Sequence, residues 1–379
     1  MLPAIRRFGS LLSGLLGAAC ADPAPADLPV GVLALMAGQL SQASGVPTIQ
    51  GAQLALEADS AHGLVVLDGR TYRVRLVIRE HDDRPDAATT AARALITQDN
   101  VLAIIGPQLS RHAMPAAIIA ENAQIPLISP MSSSPATTAG LNWVFRLAYL
   151  DDAQGTALAQ FARDDLHVLR AAILYEASSA YSSRIAELFE AEFTRRGGQV
   201  VARESFTADS AETPEQWRRL RASAPDVLVL PNFPADAQRQ IPALRAAGIM
   251  ATLLGSDSWD VPVMQAWPEF QGSYLAHQWR YGVPLPASER LVRLFRERYG
   301  DAPRATAAMT YDAVGVLLDA LRRAGTTDPV ALRDAIAATV DFRGATGTIT
   351  FGGRHDPVRS VVISTVRDST PSIVRLVDP

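Results

Sequence analysis

Short apolar runs alternate with amphipathic stretches along most of the chain. Val30–Met36, Val74–Ile78, Val101–Ile105, Ala171–Tyr175, Asp226–Leu230 and Thr252–Leu254 have strand length, and the segments between them repeat apolar positions at helical spacing. This alternation predicts βαβ units assembled into an α/β fold with mainly parallel, doubly wound sheets. Within Ser182–Arg196, the residues Ile185, Leu188, Phe189 and Phe193 share one helical face, and Gly197-Gly198 stops the helix. Another helix runs through Leu291, Leu294 and Phe295 to Gly300. The end of the chain changes character, because Thr346–Phe351, Ser360–Val366 and Ile373–Val377 read as strands with no helix between them.

The N-terminal segment follows a different pattern. Arg6 and Arg7 precede an uncharged stretch from Phe8 to Ala19, and the next charge is Asp22. This predicts a signal peptide over residues 1–20, too short to span a bilayer as a mature helix. Gly17-Ala18-Ala19 leads into Cys20, the single cysteine of the chain, and the segment resembles the lipobox of bacterial lipoproteins. Cys20 would then be the lipidated N-terminus, the alternative being an ordinary cleavage site with an incidental cysteine. Residues 21–29 are rich in Pro and Ala and read as a tether.

Composition narrows the function. With 379 residues, 48% hydrophobic and 20% charged, the chain can bury a large core and divides into about two domains. A net charge of -4 without long runs gives no basic stripe for nucleic acid. One cysteine excludes an internal disulfide and a multi-cysteine metal site, and all 35 basic residues are arginine. Without lysine there is neither a Schiff base nor a phosphate-loop lysine. The six histidines lack metal-ligand spacing, and Glu80-His81-Asp82-Asp83 reads as a solvated loop at a strand end. No nucleophile elbow or dinucleotide fingerprint occurs, and Ser110 and His112 are merely neighbours in sequence. The expectation is a chain with no catalytic residue, cofactor or metal.

Local motifs sharpen this. Val30-Gly31-Val32-Leu33-Ala34 leads to Gly51-Ala52-Gln53, and Ile104-Ile105-Gly106-Pro107 carries Ser110. Ile125-Pro126-Leu127-Ile128-Ser129-Pro130 carries Ser132 and Ser133, and Phe145-Arg146 precedes Asp151-Asp152 and Gln154-Gly155. Then come Ala180-Tyr181, Pro225-Asp226-Val227, Leu254-Gly255-Ser256-Asp257 and Thr310-Tyr311-Asp312-Ala313-Val314. In this order the motifs resemble the type I periplasmic binding proteins, specifically the branched-chain amino-acid receptors of ABC transporters, along nearly all of the mature chain. The resemblance implies two doubly wound lobes joined by three crossovers, near Arg146–Asp152, Ala276–Trp279 and Ala345–Thr348. The first lobe would hold residues 28–147 and 279–345, the second 148–278 and 346–379. It further implies a monomeric receptor in the periplasm or on the outer face of a bacterial membrane. Its partners would be a small amino-acid-like ligand and a transporter permease, and it would touch the membrane only through the lipid anchor.

The candidate site follows from the same match. In Ser129-Pro130-Met131-Ser132-Ser133-Ser134-Pro135, Ser134 can cap a helix and Pro135 can take its first position. A helix N-terminus there would suit a ligand carboxylate, with Ser132 and Ser133 as hydroxyl donors. Plain capping and turn formation explain the same serine run locally. The resemblance makes Ser110 and Ser133 carboxylate-binding positions and Asp257 the acceptor for a ligand ammonium, one methylene shorter than the family's usual glutamate. Tyr181 and Phe233 match aromatics that cover the ligand, and Trp259 would add a wall. Two departures stand against a strict leucine, isoleucine or valine preference. The loop Gly38–Gly45 offers Ala43 and Ser44 where relatives commonly have a tyrosine, and Arg111 replaces a small residue. The alternatives are lipoproteins of the same fold that sense amides or ureas, or that activate cell-wall synthases without a small ligand.

Overall fold

The six apolar runs that read as strands between helices all lie in two sheets. A computed structural model of the chain describes residues 24–207, 210, 212–259, 267–367 and 370–378; Cys20 and the signal-peptide segment lie outside them. The first sheet contains β1 (Ala26–Leu35), β2 (Leu64–Leu67), β3 (Arg70–His81), β4 (Ile104–Ile105), β5 (Leu127–Ser129) and β6 (Val144–Arg146). Its order is β2-β3-β1-β4-β5-β6, parallel except for the β2–β3 pair. The second sheet begins with β7 (Arg170–Glu176), β8 (Gln199–Phe206), β9 (Val227–Leu230), β10 (Thr252–Gly255) and β11 (Tyr274–His277). After a small hairpin, β12 (Phe342–Gly344) and β13 (Gly347–Ile349), the chain returns to that sheet as antiparallel β14 (Val361–Arg367) and β15 (Thr370–Val377). The order is β15-β14-β11-β10-β9-β7-β8.

Each sheet has its own core. Val30, Val32, Ile105, Ile128 and Phe145 pack with Leu317 and Leu321 of the Ala305–Ala324 helix. In the second, Ile173, Val229 and Leu254 pack with Phe161, Ile185, Phe189 and Phe193. The helix read over Ser182–Arg196 spans Ala180–Arg195, with Ser179 accepting from the Ser182 amide as its cap. Two glycines permit close helix contact. A Cβ on Gly51 would lie 2.2 Å from the carbonyl oxygen of Ala307, and one on Gly155 would lie 2.9 Å from that of Ile185.

The chain passes between the sheets three times, after β6, after β11 and before β14. The last passage is later than the expected Ala345–Thr348. Ile349 and Phe351 are buried in the first core, and the amide of Arg146 donates to the carbonyl of His355, so the chain leaves that core between His355 and Val361. Polar burial explains the shift. The Asp312 carboxylate accepts from the amides of Ala345 (2.8 Å) and Thr346 (2.7 Å) and from the Thr346 hydroxyl (2.5 Å). Arg359 donates to the carbonyls of Leu147 (2.8 Å) and Thr346 and to the Thr346 hydroxyl (2.7 Å). Burial pushes the Asp312 carboxyl above the usual carboxylate range and lowers Arg359 to about 10. The two charges stay buried because each completes the other's surroundings.

Asp312→Ala would leave Arg359 buried without its counter-charge and two amides unpaired. It should destabilise the protein by roughly 3–5 kcal/mol, read as a lower midpoint in urea unfolding; an unchanged midpoint would show that the network carries no stability.

Candidate functional site

Parallel strands deliver their carboxyl ends, and the loops that leave them, to one edge of a sheet. At that edge of the first sheet β4 leads into Ser110, β5 into Ser132 and Ser133, and β6 into Asp151. Ser110 opens the Ser110–Ala123 helix. Its hydroxyl oxygen accepts from the hydroxyl of Ser132 at 3.0 Å and from the amide of Ser134 at 3.3 Å, which leaves its own proton free to donate outward. Ser132 is fully buried and also pairs with the hydroxyl of Thr137 at 2.6 Å. It therefore braces Ser110 rather than presenting a donor of its own. Ser133 lies beside Asp151, whose amide donates to the Ser133 carbonyl at 3.1 Å.

The helix expected at Pro135 is a single 3-10 turn, Pro135–Thr137, and Ser134 makes no side-chain cap. The buried guanidinium of Arg146 donates to the carbonyls of Ser132 (3.1 Å), Ser134 (2.6 Å) and Pro135 (3.3 Å) and so fixes the serine loop, while the Ser134 and Pro135 carbonyls still accept the amides of Thr137 and Ala139. Two genuine helix N-termini flank the serine loop instead, those of Ser110–Ala123 and Asp151–Asp164.

Opposite groups come from the second sheet. Asp257 follows β10 in a one-turn helix, Asp257–Trp259. Its Oδ1 accepts from the Tyr181 hydroxyl at 2.5 Å and from Gln154 Nε2 at 3.3 Å, while Oδ2 accepts from Gln278 Nε2 at 3.1 Å. Gln154 Oε1 accepts the Asp257 amide at 2.7 Å, and Gln278 Oε1 accepts the Tyr149 amide at 3.0 Å. The Phe233 ring stacks on Tyr181 with centroids 5.4 Å apart. Trp259 is no wall: it is fully buried, packs on Phe270 and donates to the carbonyl of Asn232 at 2.9 Å.

Asp151 differs from Asp257 in its surroundings. It is 1% exposed, and its Oδ1 has no hydrogen-bond partner in the protein. Burial pushes its carboxyl up to about 7, the negative charge of Asp257 adds to the rise, and a Ser133 hydrogen bond and Arg146 oppose it. Tyr149, also buried with an unpartnered hydroxyl, is pushed well above the usual tyrosine range by burial, then by Asp257. The guanidiniums that bear on this cluster are engaged elsewhere: Arg146 with Asp356, Arg184 with Asp152, and Arg359 with backbone carbonyls. Two carboxylates and two phenols thus form an acceptor-rich pole suited to a ligand cation.

The structure brings Ser110 and Ser132 into contact, and likewise Tyr181, Phe233 and Asp257. Sequence reasoning missed Tyr149, Asp151, Gln154 and Gln278 as site groups. Asp151 and Gln154 stood in a quoted motif and were detectable there, whereas Gln278 enters through tertiary contact alone. Arg111 is paired with Asp83 (Nη2–Oδ1 2.5 Å), so its charge is partly spent. His81 is buried rather than solvated and meets His112 edge-on at 5.0 Å. His112 Nε2 lies 3.1 Å from Asp83, yet outside hydrogen-bond geometry. Among the described residues no cluster of three or more His, Cys, Asp or Glu is suited to a metal ion, and no helix is long and apolar enough to cross a membrane.

Two parallel-sheet lobes with polar groups gathered at their strand ends define a solute-binding protein. The periplasmic binding protein family model matches residues 27–371, and the chain belongs to that family. It is similar to the leucine-specific-binding protein of Salmonella typhimurium, 24% identical over 86% of this chain and 88% of the relative. Among solved structures it resembles a leucine binding protein from Thermotoga maritima, with TM-score 0.84 and 29% identity, covering 93% of this chain and 99% of that one. A branched-chain amino acid transporter substrate binding protein from Streptococcus pneumoniae, solved with isoleucine, aligns with TM-score 0.83 and 25% identity over 93% and 100% of the two chains.

The Asp151 carboxyl gives a pH signature. An acid whose folded pKa lies above its unfolded value near 3.8 is penalised once the unfolded form ionises, so the unliganded fold loses stability as pH rises from about 4 to about 7. Asp151→Asn removes that penalty. The variant should melt higher than the parent at pH 8, by an amount on the order of 2 to 4 kcal/mol, and should match it near pH 4. A difference that stays constant from pH 4 to pH 8 in thermal melts would exclude Asp151 as the titrating group.

Proposed function

We propose that the protein is the extracytoplasmic receptor of an ABC importer, which captures a small amino-acid-like zwitterion between its two lobes and delivers it to the membrane permease. The observation that carries this reading is the pairing of an acceptor-rich pole, Asp151, Asp257 and Tyr181, with the Ser110 hydroxyl, whose proton is free, at the N-terminus of the Ser110–Ala123 helix. A carboxylate suits the second pole, where free N–H groups and the helix dipole favour negative charge. An ammonium suits the first. Three donors already fill most of the Asp257 acceptor positions, so Asp151 takes the larger share of the ammonium and Asp257 the smaller. Tyr181 and Phe233 cover the bound molecule from the second lobe. Relatives that bind leucine or isoleucine by name support the amino-acid class. A cell-wall-synthase activator would fill the cleft with apolar side chains, and the polar lining argues against it. An amide or urea would give the Ser110 pole no anion.

Binding is monomeric in this reading, and closure of the lobes brings the two poles onto one ligand. Calorimetric titration tests the assignment. Asp151→Asn and Asp257→Asn should each cost a free amino acid about 2–5 kcal/mol and cost its deaminated analogue far less. Equal losses for both ligands would show that neither carboxylate reads the ammonium.

Anchoring is proposed through Cys20, on the strength of Gly17-Ala18-Ala19 before the sole cysteine. Cys20→Ser should move the protein from the membrane fraction to the soluble exported fraction with its ligand affinity intact. Retention on membranes would rule out the lipid anchor.

A further inference from the structure

The loops that leave β1, β4, β5 and β6 form one row, because these strands are neighbours in the first sheet. The zwitterion proposed above uses the β4 to β6 part of that row. The β1 and β4 loops carry two further polar side chains that this reading leaves unused. Ser44 lies in the π-helical turn Ser41–Gly45 after β1; it is 5% exposed, and its hydroxyl has no hydrogen-bond partner in the protein. Gln108 follows β4 and is 3% exposed.

The orientation of the Gln108 amide can be derived. Gln108 Nε2 donates to the hydroxyl oxygen of Thr310 at 3.2 Å, and that hydroxyl donates its own proton to the carbonyl of Thr306 at 2.7 Å. With its proton spent on a carbonyl, the Thr310 oxygen can only accept from Gln108. Gln108 Oε1 is therefore turned the other way, a buried acceptor without a donor. Buried polar atoms without partners are rare, and one in a loop at the same carboxyl edge of the sheet as Ser110 is a place for a partner brought by the ligand. An aliphatic side chain docked here would leave both buried atoms unpaired, whereas a donor group would pair them.

We infer that the side-chain end of the site selects a neutral amino acid whose side chain carries a hydrogen-bond donor, a hydroxyl or a primary amide, with Gln108 and Ser44 as the specificity-determining residues. This rests on the amino-acid reading above and names the substrate class within it. Gln108 Oε1 accepts from the ligand side chain. The Ser44 hydroxyl, which can donate and accept, is the second unpartnered atom, on the loop of the neighbouring strand β1. A carboxylate side chain is disfavoured, because it would set acceptor against acceptor at Gln108.

Calorimetric titration of the purified protein with two matched pairs tests the inference: threonine against valine, which have nearly the same shape, and asparagine against leucine. The donor-bearing member of each pair should bind at least about ten-fold more tightly. Gln108→Leu should abolish that preference while valine and leucine bind as well as before or better, and Ser44→Ala should reduce it. Valine binding as tightly as threonine, together with leucine binding as tightly as asparagine, would overturn the inference and leave the amino-acid reading standing. That comparison needs no variant, so a misfolded Gln108→Leu would not spare the inference. Binding of none of the common amino acids would overturn both.

Discussion

A buried guanidinium must find acceptors for its donors, and two such groups organise the region between the sheets. Arg146 gathers the carbonyls of the serine loop and pairs with Asp356, whereas Arg359 joins Leu147 to Thr346 beside Asp312. Each spans segments more than a hundred residues apart in sequence, as the pairing of Arg146 with Asp356 shows. The first and third passages between the sheets are thereby tied to one another, and the loops that carry the candidate site inherit their positions from that tie. Removing a charge here leaves its partner in a medium that solvates it poorly, so the arrangement resists change more than a surface ion pair does.

Those same arginines leave the cleft short of positive charge. Asp151 and Asp257 repel each other, and burial raises the cost of ionising Asp151. An ammonium brought by a ligand would relieve both effects. The like-charge repulsion that weakens the unliganded state thus becomes a source of affinity. Asp257 is wired by Gln278 to the amide of Tyr149, so one side chain links it to the first passage between the sheets.

Several elements were legible from periodicity alone. The Ala180–Arg195 helix shows its buried face as Ile185, Phe189 and Phe193, and β9 with the Ala171–Leu174 part of β7 are unbroken apolar runs because both faces of a central parallel strand are covered. β4 kept just two ladder residues of the expected run Val101–Ile105, since strand pairing depends on the neighbours' register and not on apolar content. The helix at Pro135 ended after a single 3-10 turn although Pro135 does stand at its first position.

The sequence by itself determined the alternation of strands and helices, because periodicity depends on neighbours a few positions away, and its family-like order of motifs made Ser110, Ser133, Tyr181, Phe233 and Asp257 candidates. Tertiary structure decided what each candidate does with its donors and acceptors. Ser132 is consumed by Ser110 and Thr137, Trp259 by the core, and Asp257 by three partners, while Asp151, Ser44 and Gln108 keep atoms unpaired. A hydrogen bond between residues 154 and 257 or between 108 and 310 leaves no periodic trace in a chain. Whether a polar atom is satisfied is a property of the folded surroundings, which no pattern of neighbours in the chain records.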